Sequence, residues 1–465
     1  MKKNLTTLLI LALTGFATAD SNRPNILFIA ADDMKPLLGC YDDSYAQTPN
    51  IDRLADSGTV FLNAHCQWAV CGPSRASLTT SLMPETTGVT GFKQMRAKLP
   101  DLITLPQHFR DNGYETAATG KINDYRCVAG GRTEDDIRSW SIPYDFAANG
   151  AYRSATKVAT DNPDIPDDQH GDGKICNRGL KLMKQMAKGD KPFFLGVGFQ
   201  KPHIPFIALK KYWDLYDRDD IQLAEWQKMP INGLAHTWNG GKEVRGYVDV
   251  PNKGSIDEDK QKELIHGYYA CVSMVDAQVG RLLGQLEELG LADNTIIVFW
   301  GDHGYHLGDH GEWGKHTNME QATRVPLIIT APGQPASGRP VHPAGFIDIY
   351  PTLCELARLD IPKQVQGRSL IPVLKDPDAR VRNGIISMFR RSGRMGYAYR
   401  TDRYRYIEWI KQGSLDSREL YDYETDPNET RNLAADEKYK PLMKKLAAQL
   451  REDGIGCDIL LKTKP

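Results

Sequence analysis

Short, uninterrupted apolar runs recur along the chain, between longer segments whose apolar residues have helical spacing. Such runs are typical of strands buried on both faces of a parallel sheet. They predict strands at 25–30, 115–119, 193–199, 295–300 and 325–330. The segments with helical spacing predict helices at 104–112, 181–188 and 263–289. Because helices alternate with apolar strands, the sequence predicts an α/β fold with a large, mostly parallel sheet flanked by helices.

The pattern changes after about Pro377. Short alternating segments predict antiparallel strands at 383–389, 395–401 and 404–410, and a last helix is predicted at 438–451. We therefore expect a large domain at 20–377 and a smaller α+β subdomain with an antiparallel sheet at 378–465. Two stretches rich in polar residues, 154–173 and 237–254, are predicted to be surface loops.

Charged or imidazole side chains follow four of the predicted parallel strands. They are Asp32-Asp33, Lys121, His203 and Asp302-His303. In open α/β sheets, ligands bind outside the carboxyl ends of the strands. The sequence therefore predicts that these four segments contribute to one site.

The N-terminus has the pattern of a secretory signal. Lys2 and Lys3 precede an apolar core at 8–13, and Ala17-Thr18-Ala19 fits a cleavage site with small residues. We predict a signal peptide at 1–19, cleavage after Ala19, and a periplasmic or secreted protein. The apolar core is too short to span a bilayer, and no cysteine directly follows the cleavage site, so we expect no membrane anchor.

Charge and cysteine content restrict the possible partners. The formal net charge is −1 at pH 7, which provides no global basic field for nucleic acid, so we expect no nucleic-acid partner. Anion binding must then come from a local site. The eight cysteines show no CxxC pair and no zinc-like spacing. Export permits disulfides, but the spacing leaves their pairing open.

The predicted site contains residue types suited to binding a metal and transferring a proton. Carboxylates such as Asp32, Asp33 and Asp302 are hard oxygen donors that suit Ca²⁺ or Mg²⁺. An isolated Asp-Asp pair is more often a solvated turn, but a third acid at another strand end favours metal binding. His203 is a candidate general acid, since the ordinary pKa of histidine suits proton transfer near neutrality.

Four separated motifs resemble those of type I, formylglycine-dependent sulfatases. They are Cys71-Gly72-Pro73-Ser74-Arg75 within residues 70–80, Lys201-Pro202-His203-Ile204-Pro205, the block from Asp302-His303-Gly304 to Lys315-His316-Thr317-Asn318, and Glu419-Leu420-Tyr421-Asp422 with Asp426-Pro427. The Asp-His-Gly motif, where many sulfatases carry Asn instead of His303, resembles iduronate-2-sulfatase-like members. The resemblance implies an alkaline-phosphatase-like sandwich.

The resemblance also implies a role for each motif residue. A formylglycine-generating maturation enzyme would oxidise Cys71 to formylglycine, whose aldehyde hydrate is the nucleophile. Arg75 would stabilise the hydrate, Lys121 and Lys315 would contact the sulfate, and His203 would protonate the leaving oxygen. One divalent cation, Ca²⁺, would be held by Asp32, Asp33, residue 71, Asp302 and His303, of which His303 is the least typical calcium ligand.

The chain departs from the family pattern after Lys121. Family members usually carry a histidine two or three residues after this lysine, whereas this chain has Ile122-Asn123-Asp124. Asn123 cannot serve as the same base, which leaves the breakdown of the sulfated intermediate open.

A loop rich in glycine and histidine follows the Asp-His-Gly motif. We predict that it faces the substrate. In it and just beyond it, Tyr305, His306 and Trp313 are candidates for stacking against a sugar.

The sequence thus predicts an exported sulfatase that hydrolyses sulfate esters of carbohydrates. Sulfated polysaccharide or glycosaminoglycan-like oligosaccharides, including a uronate 2-O-sulfate, are the expected substrates. Two alternatives stay open. One is a phosphodiester or phosphonate monoester hydrolase with the same nucleophile, and the other is a non-catalytic protein that binds sulfated glycans.

Overall fold

The structure is a computed structural model that describes residues 23–148, 156–238, 240–335 and 338–463. The predicted signal peptide lies outside these ranges. The strands are β1 (Asn25–Asp32), β2 (Thr59–Val60), β3 (Ala64–His65), β4 (Glu115–Gly120), β5 (Thr160–Asp161), β6 (Phe193–Pro202), β7 (Phe206–Ile207), β8 (Thr295–Gly301), β9 (His306–Leu307), β10 (Trp313–Gly314), β11 (Leu327–Thr330), β12 (Ala344–Gly345), β13 (Ile385–Arg391), β14 (Arg394–Arg400), β15 (Tyr404–Lys411) and β16 (Ser414–Asp422).

Helices cover both faces of the main sheet and one face of the C-terminal sheet. They are α1 (Pro49–Asp56), α2 (Cys71–Thr80), α3 (Pro84–Thr87), α4 (Leu105–Asp111), α5 (Gly131–Glu134), α6 (Gly171–Met186), α7 (Lys210–Trp213), α8 (Glu258–Glu288), α9 (Glu320–Thr323), α10 (Ile349–Leu356), α11 (Ile371–Lys375), α12 (Lys440–Glu452) and α13 (Asp458–Leu461). None of the helices in the described ranges combines the length and apolar character that a membrane span requires.

The main sheet has the strand order β2-β11-β8-β1-β6-β4. β8, β1, β6 and β4 are parallel, whereas β11 runs antiparallel to β8. The predicted, mostly parallel α/β sheet is confirmed, with the 325–330 run forming its antiparallel member.

Side chains of β1 alternate between two hydrophobic cores. Leu27 and Ile29 pack into the core that contains α6 and α8, whereas Ile26 and Phe28 pack into the core that contains α2, α4 and α10. Because successive side chains of a strand point to opposite faces, a continuous apolar run needs such a cover on both sides. The layers therefore form the expected helix–sheet–helix sandwich.

The C-terminal strands β13 to β16 form an antiparallel sheet in sequential order. The antiparallel sheet is as predicted, and β16 is an additional strand that was not predicted. One of its faces packs against α12 through residues such as Tyr406 and Leu446. Its other face packs Ile407 and Trp409 near Met319, which belongs to the larger domain. The small sheet is thus in direct contact with the segment that follows Lys315.

The helix predicted at 181–188 begins ten residues earlier than expected, at Gly171. Glycine lowers helix propensity, so Gly171 and Gly173 favoured the prediction of a loop through residue 173, which is wrong at its end. A Cβ atom at Gly173 would lie 1.7 Å from the carbonyl oxygen of Asp167. Close backbone packing therefore requires glycine inside this helix.

All eight cysteines are free thiols in the structure. Seven of them are buried, and Cys40 is partly buried. The fold is therefore held together without disulfide bonds, although export would permit them.

Candidate active site

The four parallel strands end at one edge of the main sheet. Ala30 of β1 is aligned with Gly198 of β6 and with Trp300 of β8, and Gly198 is aligned with Gly120 of β4. The polar residues that follow each strand therefore meet at this edge. The shared location predicted for Asp32-Asp33, Lys121, His203 and Asp302-His303 is confirmed.

Helix α2 begins at Cys71 and directs its N-terminus at the strand ends. Every residue of α2 is buried, and the hydroxyl of Ser74 donates a hydrogen bond of 2.5 Å to the carbonyl of Asp302. Cys71 Sγ lies 3.3 Å from His303 Nε2 and 3.8 Å from both Asp33 Oδ1 and Lys315 Nζ. The motif that contains Cys71 is thus part of the same buried site as the strand ends.

Burial and the neighbouring Asp32 raise the pKa of the Cys71 thiol well above its ordinary value. The encoded thiol therefore stays protonated at neutral pH. Because the thiolate is the nucleophilic form of cysteine, unmodified Cys71 is a poor nucleophile in this environment.

Asp33 adopts a left-handed conformation (φ 63°), which turns its carboxylate toward residue 71. Its backbone N–H donates to Asp302 Oδ1 at 2.9 Å, and its carbonyl accepts a hydrogen bond of 2.7 Å from the hydroxyl of Tyr268. A buried tyrosine and a strand-end carboxylate thus fix the backbone of Asp33. These contacts offset the strain of a positive φ at a residue other than glycine.

Three buried carboxylates are paired with three buried cations. Lys315 Nζ lies 2.7 Å from Asp33, and Lys121 Nζ lies 2.7 Å from Asp32. Arg75 bridges Asp302 at 2.8 Å and Asp32 at 3.1 Å. The fixed charges of this group therefore balance without a bound ion.

Burial raises the pKa values of Asp32 and Asp33, but nearby cations outweigh this effect. Lys121 and Arg75 hold the pKa of Asp32 well below its ordinary value. His203, Lys315 and His303 lower the pKa of Asp33 to about 2. Both carboxylates are therefore ionised at neutral pH. In turn, the carboxylates raise the pKa of Lys121 and Lys315 despite burial, so both lysines are protonated.

The cluster has the donor atoms for one hard divalent cation. Ligand atoms of Asp33, Cys71, Asp302 and His303 all lie within 4.8 Å of one another, and an overlapping group contains Asp32. His303 Nδ1 lies 3.0 Å from the carbonyl of Gly304. When Nδ1 donates to that carbonyl, the lone pair of Nε2 faces the carboxylates. These residues fit Ca²⁺ or Mg²⁺.

His203 lies at the rim of the cluster, with about a third of its side chain exposed. Its Nε2 is 3.9 Å from both Asp33 Oδ2 and Glu243 Oε1. The buried ammonium of Lys201 donates to the carbonyls of His203 and Pro205 at 2.9 and 2.6 Å, which holds this loop in place. A cavity of about 520 Å³ adjoins His203, Lys121 and Asp32. The imidazole can therefore reach a molecule in the cavity.

Two sequence models of protein families match the chain. The family described as "Sulfatase" matches residues 24–359, and the model described as "N-sulphoglucosamine sulphohydrolase, C-terminal" matches residues 308–454. The first match covers more than half of the chain.

The chain belongs to the sulfatase family.

Relatives that match along nearly the whole chain identify the branch of the family to which it belongs. The chain is 31% identical to human iduronate 2-sulfatase over 90% of its own length and 92% of that protein. It is 33% identical to a sulfatase of Formosa agariphila over 92% of its length and 86% of that protein. This sulfatase is therefore a type I member of the iduronate-2-sulfatase-like branch and a sulfuric ester hydrolase.

A solved structure shows the same fold. The protein described in complex with its substrate D-glucosamine-2-N,6-O-disulfate superposes with a TM-score of 0.73 at 23% identity, over 93% of this chain and 98% of that chain. The predicted alkaline-phosphatase-like sandwich with a C-terminal antiparallel sheet is confirmed.

The structure of this sulfatase brings together the residues predicted for catalysis and for the metal. These are Cys71, Arg75, Lys121, His203 and Lys315, with Asp32, Asp33, Asp302 and His303. Their individual chemical roles stay predictions.

The three residues predicted to stack on a sugar lie in the core instead, so this prediction is wrong. Tyr305 is fully buried and packs against Phe206 and Tyr268. His306 is also fully buried and lies 2.9 Å from the hydroxyl of Thr317, while only 3% of Trp313 is exposed. No ring face of these residues is available to a substrate. The glycines allowed the loop to fold inward, which composition alone did not indicate.

Glu243 is a carboxylate at the site that the sequence did not indicate. It belongs to the segment at 237–254 that was predicted to be a surface loop. Its Oε1 lies 3.1 Å from Lys315 Nζ, and Oε2 is buried without a hydrogen-bond partner among the described residues. No motif or periodicity marks this position, since only the path of the loop brings it to Lys315.

Asn123, at the departure from the family pattern, is buried and donates from Nδ2 to Asp135 Oδ1 at 2.7 Å. Burial raises the pKa of Asp135 to about 6, although hydrogen bonds from Asn123 and the N–H of Asp136 oppose the shift. The chain therefore places an amide–carboxylate pair beside Lys121.

Proposed function

We propose that this sulfatase is exported and hydrolyses sulfate esters of carbohydrates through a formylglycine made from Cys71. One observation carries the proposal. Residue 71 lies at the N-terminus of a fully buried helix, among three carboxylates, three cations and His303, with His203 at the cavity rim. The relationship to iduronate 2-sulfatase supports a sulfated sugar as substrate.

A nucleophile other than the encoded thiol fits this environment. The raised pKa of Cys71 keeps the thiol protonated. As a formylglycine, residue 71 would supply the nucleophilic oxygen of an aldehyde hydrate. This supports the oxidation that the motif implies.

Asp32, Asp33, Asp302 and His303 would hold one calcium ion together with residue 71. When bound, the ion would supply positive charge beside the nucleophile and the sulfate oxygens. Arg75, Lys121 and Lys315 balance the three strand-end carboxylates, and Glu243 adds one further negative charge. A bound divalent ion would therefore still leave an excess of positive charge. That excess favours an anionic sulfate ester at this position.

The residues around the ester have distinct roles in this proposal. Lys121 and Lys315 neutralise sulfate oxygens as charge builds up on them in the transition state. Arg75 holds Asp32 and Asp302 in place through its two ion pairs. His203 donates a proton to the sugar oxygen as the bond between sulfur and that oxygen breaks.

The first test is mass spectrometry of the peptide that contains residue 71, after co-production with a formylglycine-generating enzyme. We expect the aldehyde at residue 71 in the wild type and its absence in Cys71→Ser. Turnover should be lost in Cys71→Ser, with the thermal unfolding temperature retained. Cys40→Ser, a change outside the site, serves as the control and should retain turnover.

Three results would contradict the proposal. Wild-type turnover by Cys71→Ser would exclude the formylglycine nucleophile. Binding of sulfated glycans by fully converted protein, without any turnover, would favour the non-catalytic alternative. Faster hydrolysis of a phosphate diester than of a sulfate ester at equal concentration would favour the phosphoesterase alternative.

Export has its own test. N-terminal sequencing of protein recovered from the periplasm or the medium should begin at Asp20. Protein that stays in the cytoplasm and begins at Met1 would contradict export.

A further inference from the structure

The cavity beside His203 extends away from the reacting centre to a second group of cations. Arg126, Arg132 and Lys157 line this part of the cavity, which we call the basic end. With Lys121 and Lys201, five lysine and arginine side chains line the cavity. Asp32 and Asp135 are the carboxylates among its described lining residues. The cavity is thus much more basic than the chain, whose net charge is −1.

The charges at the basic end are only partly neutralised by the protein. Arg126 forms a two-point ion pair with Asp124, with distances of 2.8 and 2.7 Å. Arg132 forms no ion pair within the described ranges, and its guanidinium instead lies over the rings of Tyr125 and Phe146, at 4.2 and 5.2 Å from their centroids. Lys157 likewise has no carboxylate partner among the residues that the structure describes.

A chain of contacts ties Arg132 to the reacting centre. Arg132 belongs to the one-turn helix α5, which Asp135 directly follows. The backbone carbonyl of Asp135 accepts from Gly130 N–H at 2.9 Å, which closes this turn. The carboxylate of Asp135 accepts from Asn123 Nδ2 at 2.7 Å, and Asn123 follows Lys121 by two residues. The unusual Asn123 therefore anchors the turn that carries Arg132.

We propose that Arg132, supported by Lys157, binds a second anionic group of the substrate, either a carboxylate or another sulfate. This inference rests on the proposed function and deepens it, because it assigns the substrate to doubly anionic sugars. Arg132 forms no ion pair with a described residue and stacks on two rings, so its N–H donors are available to a ligand. Arginine recognises carboxylates and sulfates with two parallel hydrogen bonds. The rings of Tyr125 and Phe146 hold it without neutralising it.

The test compares substrates that differ by one charge. The first pair is a disaccharide with a 2-O-sulfated uronate and the same disaccharide with its carboxylate reduced to an alcohol. The second pair is glucosamine 6-O-sulfate with and without an N-sulfate. 4-Nitrophenyl sulfate has no second anion and reports on the reacting centre alone. Each sugar is also measured as a competitive inhibitor of 4-nitrophenyl sulfate hydrolysis, so that a sugar that binds without reacting is still detected.

We expect the wild type to prefer the doubly anionic member of one pair, which identifies the second anion as carboxylate or sulfate. Arg132→Gln should lower kcat/KM for that member about 10- to 100-fold, the range expected for a hydrogen bond to a charged group. The kcat/KM values for the singly anionic member and for 4-nitrophenyl sulfate should change less than twofold. Arg132→Lys should retain part of the preference.

Arg138→Gln is the matched control, because Arg138 is exposed and donates to the carbonyl of Pro100 at 2.8 Å, outside the cavity. Arg138→Gln should leave kcat/KM unchanged for both members of each substrate pair. A wild type without preference in either pair would overturn the inference, as would an equal effect of Arg132→Gln on all substrates. Absence of turnover on every substrate by fully converted protein, 4-nitrophenyl sulfate included, would instead contradict the proposed function.

Discussion

The ammonium group of Lys315 lies 3.1 Å from the carboxylate of Glu243. The same ammonium lies 2.7 Å from Asp33, so two carboxylates share one cation beside residue 71. Asp33 comes from the end of a core strand, whereas Glu243 comes from a loop. If Lys315 contacts the sulfate as proposed, Glu243 competes with an incoming sulfate for Lys315.

Glu243→Gln should strengthen the binding of sulfate. Glutamine has nearly the same shape but no charge, so it leaves Lys315 less neutralised. We expect the inhibition constant of inorganic sulfate, measured with 4-nitrophenyl sulfate, to fall about three- to tenfold, as for the loss of roughly 1 kcal/mol of charge interaction. Glu258→Gln, at an exposed helix end, should have no effect. A weaker or unchanged inhibition in Glu243→Gln would contradict the competition.

His203→Gln should slow the hydrolysis of each substrate to an extent that depends on its leaving group. A sugar hydroxyl needs a proton as it departs, whereas 4-nitrophenolate is stable without one. Loss of a general acid typically costs about 10²- to 10⁴-fold in rate, so we expect a loss in this range for sugar sulfates and a much smaller one for 4-nitrophenyl sulfate. Equal losses in kcat for both substrates would indicate that His203 does not protonate the leaving oxygen.

Removal of a divalent cation should destabilise the fold. Added Ca²⁺ should raise the thermal unfolding temperature of the chelator-treated protein, since a ligand at 100 times its Kd contributes about 2.7 kcal/mol. Asp33→Asn should reduce this shift, because it removes a carboxylate of the cluster. Asp214→Asn, a change in an exposed pair with Lys210, is the control. An unfolding temperature unaffected by Ca²⁺ and Mg²⁺ in the wild type would argue against a cation site.

Arg405→Met should destabilise both the small sheet and the Lys315 loop. Arg405 is fully buried in β15, pairs with Glu429 at 2.8 Å and with Glu320, and donates to the carbonyl of Asn318 at 2.7 Å. Breaking a buried ion pair from one side costs about 3–5 kcal/mol. We expect a lower unfolding temperature and a lower kcat.

The control for this change is Arg390→Met, at an exposed position of β13, which should affect neither quantity. A normal kcat in Arg405→Met at a temperature where it stays folded would show that the small sheet does not position Lys315.

Glu419→Gln should change the dependence of stability on pH. Burial raises the pKa of Glu419 to about 7, although hydrogen bonds from Trp409 and Tyr421 oppose the shift. The folded state thus binds this proton more tightly than the unfolded state, whose glutamate has a pKa near 4.5. The contribution of Glu419 to stability is therefore fully present below pH 4.5 and is lost as the pH rises through 7, by about 3 kcal/mol in total.

Glutamine cannot ionise, so Glu419→Gln should be more stable than the wild type at pH 8 and similar to it at pH 4.5. Unfolding temperatures at both pH values measure this difference. The exposed Glu424→Gln should follow the wild type at each pH. Equal pH dependence in Glu419→Gln and the wild type would mean that folding does not raise the pKa of Glu419.

Much of the fold follows from local patterns. The apolar runs at 25–30 and 295–300 are long enough to identify strands buried on both faces. The loop predicted through residue 173 was wrong at 171–173, which belong to a helix. Close packing against Asp167 requires glycine inside this helix, and the sequence does not show that contact. The boundary predicted at 377–378 stays a prediction, because Arg405 and Asn318 form contacts across it.

The sequence by itself determined the positions of the core strands along the chain and the polar residues that follow four of them. It could do so because parallel strands place their carboxyl ends at one edge of the sheet, and this does not depend on the conformation of the loops. Only the tertiary structure decided that Glu243 reaches Lys315, that Tyr305 and His306 are buried, and that Asn123 anchors the turn of Arg132. These contacts join residues far apart in the chain through irregular segments, whose paths depend on packing and on buried hydrogen bonds rather than on any local periodicity.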